Sequence, residues 1–106
     1  MITDKQIEHA LFFIRDNATI AGQLAGAVKE SYARRKACQA IAFLQATGTV
    51  AEREARAETD PAVQKAYNDY AESVAGMETM KLKIKASEMV IEIWRTQNSN
   101  RRAGIL

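Results

Sequence analysis

From Asp60-Pro61 the chain runs to about Gln97 with no second proline and only a lone glycine, Gly76. A stretch of some 36 residues without punctuation predicts one α-helix, about 54 Å long at 1.5 Å per residue. Asp60 suits the N-cap, and Pro61 suits the first helical position, where a missing N–H costs nothing. A helix of this length in a chain of 106 residues leaves room for little beyond the helices that must cover it. The composition agrees: 47% apolar residues, many of them alanine, with 26% charged residues and five glycines. This is the profile of long helices with narrow apolar seams, not of a sandwich or barrel.

Upstream, Thr3 or Asp4 can cap a first helix carrying Ile7, Leu11 and Ile14 at helical spacing, widened by Phe12 and Phe13. Asp16-Asn17-Ala18-Thr19 offers the first place for a break, although nothing there forbids a continuous helix. Beyond it the apolar stripe continues through Ile20, Leu24, Val28, Cys38, Ile41 and Leu44 or Gln45, with Ala27, Ser31 and Ala42 as small fillers. Gly22 and Gly26, one turn apart, suggest a close helix–helix approach. Gly48 reads as a C-terminal stop, and Thr49-Val50-Ala51-Glu52 as a capping box that starts a short charged helix.

The long helix changes character along its length. Val63, Tyr67, Tyr70, Val74 and Met77 form one stripe, but Met80, Leu82, Ile84, Met89, Val90, Ile91, Ile93 and Trp94 occupy most of the circumference. A helix apolar nearly all round must be covered on several sides, either by the first helix or by other subunits, and a homo-oligomer is the favoured expectation. KLKIKA alternates like a strand, yet helical flanks and the lack of any partner strand argue for helix. The expected fold is all-α: a long antiparallel helical hairpin with a short connecting helix and an N-terminal helix, within an oligomeric bundle. Residues 1–97 are expected to form a single domain, and 98–106 a basic tail.

Catalytic raw material is sparse. His9 is the only histidine and has no ligand-spaced companion; Cys38 is the only cysteine, which excludes an internal disulfide. Glu52, Glu54 and Glu58 interleave with Arg53 and Arg56, the pattern of a solvated, salt-bridged helix more than of a metal site. No phosphate-binding glycine loop is present. The expectation is a non-enzyme without metal or cofactor. No run approaches the roughly 20 apolar residues of a membrane span, and the first fifteen residues lack the order of an export signal, so the expected location is cytoplasmic.

Three groups of basic residues remain as candidate nucleic-acid contacts: Lys29 with Arg34, Arg35 and Lys36; Lys81 with Lys85, while Lys83 points elsewhere; and Arg95 with Arg101 and Arg102. An antiparallel hairpin turning about residues 48–60 would set Lys29 roughly opposite Lys81. The net charge is only +2, but residues 81–106 hold six basic residues against two acidic ones. Such side chains meet phosphates without reading sequence. Tyr32, Tyr67, Tyr70 and Trp94 are available to stack bases, although their stripe positions favour packing.

Two segments carry a resemblance. Residues 36–58, KACQAIAFLQATGTVAEREARAE, and residues 91–106, IEIWRTQNSNRRAGIL, resemble a family of small phage and prophage proteins. The first match rests on Phe43, Leu44, Gly48, Thr49, Val50, Ala51, Glu52, Arg53, Glu54 and Ala55; the second on Trp94, Arg95, Arg101 and Arg102. Members resemble products encoded beside single-strand annealing and recombination genes, which implies an accessory role in phage DNA recombination; with the basic residues above, the expected partner is single-stranded DNA. The competing expectation is a protein-interaction module, adaptor or inhibitor of a recombination or host protein, docking through the apolar 80–94 region.

Overall fold

A computed structural model describes residues 1–104 and contains three helices: α1 (Asp4–Gln45), α2 (Val50–Thr59) and α3 (Pro61–Arg102). Among the described residues there is no strand, and KLKIKA is helical. The fold is all-α, with α2 as the short connecting helix. No described helix is long and apolar enough to cross a membrane.

The helix starts follow the chemistry of their caps. Gln6 N–H donates to Thr3 Oγ1 at 3.2 Å and Thr3 N–H donates to Gln6 Oε1 at 2.8 Å, a reciprocal capping box. Thr49 Oγ1 accepts from Glu52 N–H at 3.2 Å, and Asp60 Oδ1 accepts from Ala62 N–H at 2.8 Å. Gly48 has φ +112°, a region that side chains other than glycine's rarely enter, and a Cβ there would press on the Glu52 carboxylate. Thr49→Ala is expected to lower stability by about 1 kcal/mol, read as a reduced thermal midpoint.

Two expected boundaries are not there. α1 passes straight through residues 16–19, so there is no separate N-terminal helix. Asp16 turns sideways to Arg15 at 2.8 Å, and Asn17 Nδ2 donates to Phe13 C=O at 2.9 Å, so the turn-forming side chains bond along the helix instead of breaking it. At the other end, α3 continues past Gln97 to Arg102. Asn98 Nδ2 bonds Trp94 C=O at 3.1 Å, and Arg101 and Arg102 sit in the last turn, where cations complement the helix dipole. Most of the expected tail is therefore helix; residues 105 and 106 lie outside the described residues.

The chain divides into two compact units: one of Met1–Gly22 with Glu78–Leu106, the other of Gln23–Met77. In the second, Leu24, Val28, Ser31, Arg35, Cys38 and Ala42 of α1 are buried or half-buried, as are Val63, Ala66, Tyr70, Ser73 and Met77 of α3. Both series step by threes and fours, the heptad seam of a two-helix coiled coil. Leu24 lies against Gly76, and the Tyr32 and Tyr70 rings are 5.7 Å apart, so the strands of the seam run antiparallel. In this register Lys29 is level with about Glu72, not with Lys81. Gly22 and Gly26 mark no close approach, since a Cβ at either would meet open space.

The tightest packing in this unit is at the α2 end, where Ala42, Ala57 and Val63 are buried and Cys38 and Phe43 pack against them. Arg53 ties α2 to α1, donating from Nε to Phe43 C=O at 3.2 Å while its guanidinium covers the Phe43 ring at 4.2 Å.

In the first unit, Ile7 and Ala10 are buried, and Ile14, Asn17 and Ala21 continue the α1 seam. Met80, Ile84, Ser87, Ile91, Trp94 and Asn98 form the half-buried face of α3. Ile2 N–H donates to Gln97 Oε1 at 2.9 Å, again antiparallel.

Candidate nucleic-acid interface

The nine candidate basic residues fall in both units. Lys29, Arg34, Arg35 and Lys36 belong to Gln23–Met77, and Lys81, Lys85, Arg95, Arg101 and Arg102 to the other. Several are already engaged. Arg34 pairs with Glu30 at 2.7 Å, Lys81 with Glu78 at 3.6 Å and Arg95 with Glu92 at 3.7 Å. All three are exposed pairs one turn apart, worth a few tenths of a kcal/mol and easily exchanged for a phosphate. Arg101 Nη2 contacts Met1 Sδ at 3.3 Å. Lys29, Lys85 and Arg102 have no ion-pair partner among the described residues.

Arg35 is different. Its guanidinium carbon lies 4.2 Å from the ring centre of Tyr67, 5.4 Å from Tyr70 and 5.8 Å from Tyr32. Lys36 Nζ stands 5.6 Å from the ring centre of Tyr32. Local geometry explains the assembly. Tyr32, Arg35 and Lys36 are spaced i, i+3, i+4 on α1, and Tyr67 and Tyr70 are one turn apart on α3, next to buried Ala66. No carboxylate pairs with Arg35 among the described residues, and its Nε–H is buried without an acceptor. Ring faces hold this cation, so its charge is not neutralised by an acid.

Two of the three tyrosines are not core residues. Tyr32 is 45% exposed and Tyr67 53%, whereas Tyr70 and Trp94 are half-buried, as stripe positions should be. Beside Tyr67 opens a groove of about 540 Å³ lined by Arg35, Gln39, Glu58, Val63, Gln64, Tyr67 and Asn68. The amides of Gln39, Gln64 and Asn68 were not singled out in the sequence. Their only signal is position: Gln39 is one turn after Arg35, Gln64 one turn before Tyr67, and Asn68 next to Tyr67. Together these groups offer a stacking ring, a cation and hydrogen-bonding amides, the chemistry that holds an unpaired base. The Glu58 carboxylate at the rim works against phosphate there.

Charge alone does not make this surface. Residues 23–77 contain seven basic and seven acidic side chains, so attraction must come from local placement. His9 lies in a shallow groove with Lys5, Gln6, Ala10, Ala86, Ser87 and Val90. No group of three metal-ligating side chains gathers among the described residues. No family model matches the chain, and no characterised protein or solved structure shows significant similarity to it.

Proposed function

We propose that this chain is a non-catalytic accessory protein of phage-type DNA recombination that binds single-stranded nucleic acid without sequence preference. The observation that carries the reading is the Arg35 guanidinium set among Tyr32, Tyr67 and Tyr70, with two of the rings half-exposed and Lys36 alongside. Exposed rings stack bases of any identity, and neighbouring cations follow the backbone. Lys29, Arg34 and Lys36 are the nearest phosphate contacts. The recombination setting is supported by the resemblance of residues 36–58 and 91–106.

Fluorescence anisotropy with labelled single- and double-stranded DNA at two salt concentrations tests this directly. Three to four phosphate contacts give a logarithmic salt slope of about −2 to −3 for a single strand. Single strands are expected to bind more tightly than duplex, because paired bases cannot stack on protein rings. Equal affinity for both forms, or none at low salt, would remove the reading. The rival, a docking module for a foreign protein, has the exposed apolar side of α3 in its favour; the pattern of that side fits a second copy of this chain better.

A further inference from the structure

The segment of α3 in the first unit has two apolar faces. Met80, Ile84, Ile91 and Trp94 are half-buried, while Leu82, Met89 and Ile93 are 67%, 57% and 45% exposed. Leu82, Ala86, Met89 and Ile93 step by four, three and four residues, a second heptad seam, and all four are exposed. No described residue covers it. We propose that a second copy of this chain does, with the two α3 helices antiparallel about a two-fold axis near residues 87 and 88. This stands independently of the nucleic-acid reading and makes the expected homo-oligomer specific.

Self-complementarity argues for this occupant and this direction. In the antiparallel register Leu82 meets Ile93 of the second copy, and Met89 meets Ala86, large against small on both sides of the axis. Each such pair occurs twice, as a two-fold interface requires. The flanking positions agree. Lys85 and Glu92 precede Ala86 and Ile93, and antiparallel pairing brings Lys85 of each copy beside Glu92 of the other. Lys85 has no ion-pair partner among the described residues, and Glu92 holds only the long, exposed pair with Arg95. A parallel pairing would instead set Ala86 against Ala86, leaving a gap, and would give Lys85 the uncharged Val90 as neighbour. Lys85 is then an interface residue more than a phosphate contact.

Disulfide trapping in a Cys38→Ser background reads the geometry. In the antiparallel dimer the two copies of position 82 stand eleven residues apart, about 16 Å along the axis, beyond the reach of a disulfide. Leu82→Cys alone and Ile93→Cys alone should therefore give no covalent dimer, and an equimolar mixture should give the mixed one. Self-linking by either single variant would mean a parallel pair and overturn the proposal, as would failure of the mixture to link. Sedimentation of the otherwise native chain provides the second reading. Lys85→Glu should weaken the dimer at least several-fold, and adding Glu92→Lys should restore it. A chain that stays monomeric at high micromolar concentration, or whose mass is unchanged by Lys85→Glu, also overturns it, and leaves the face to a foreign partner.

Discussion

Val63→Asp is expected to melt the α2 end of the Gln23–Met77 unit. Val63 is 6% exposed and meets Ala42 and Ala57, 9% and 2% exposed, so a carboxylate there loses most of its hydration, and the Arg35 guanidinium along the same groove already faces the tyrosine rings. An unpaired buried charge costs several kcal/mol. The chain has little stability to absorb that, because among the described residues no side chain is fully enclosed and the seam carries Ser31, Arg35 and Ser73. A loss of about 3 kcal/mol lowers the midpoint of a domain this size by roughly 12–24 °C. Circular dichroism melting provides the reading. Ala62→Asp, one residue earlier, is exposed in the first turn of α3 and should be neutral or slightly stabilising, since anions suit a helix N-terminus. Equal melting of both variants would mean that Val63 is not a core residue.

Tyr67→Ala is expected to reduce single-strand affinity by about 1–3 kcal/mol, roughly 5- to 150-fold, the range for losing one stacking platform. Tyr67→Phe keeps the ring and should bind like the unchanged chain. Arg35→Lys keeps the charge but loses the flat guanidinium that lies 4.2 Å from the Tyr67 ring. It should retain the salt slope while losing affinity. If Arg35→Lys and Tyr67→Ala both bind normally, the cluster is packing alone. Tyr67 is half-exposed, so its loss should leave the melting curve nearly unchanged, separating binding from folding.

Much of the fold is legible where local chemistry decides it. Gly48, Thr49 and Asp60-Pro61 mark their stops and starts because each satisfies a backbone requirement within four residues. The seam was harder to read. Its heptad positions include Asn17, Ser31 and Arg35, so an apolar stripe drawn through α1 drifts to Ile41 and Leu44, which are 54% and 72% exposed. On α3 the same drift takes in Tyr67, which lies off the seam, while Ala66 beside it is 4% exposed. The seam mixes apolar residues with small ones such as Ser31, Ala42, Ala66 and Ser73, which carry little hydrophobic signal. The break at residues 16–19 failed because Asp16 and Asn17 can bond within a helix as readily as cap one. The basic residues were visible as a list, but the choice of Arg35 among them depends on register, which brings tyrosines from α3 to a helix more than thirty residues away.

The most direct measurement is an amide and side-chain NMR titration of the chain with a short oligothymidine. Shifts concentrated on Tyr32, Arg35, Lys36, Tyr67 and Tyr70, with the groove amides of Gln39, Gln64 and Asn68 following, are the predicted result. Shifts absent at saturating oligonucleotide, or confined to Leu82, Met89 and Ile93, would contradict a nucleic-acid interface on the arginine–tyrosine cluster.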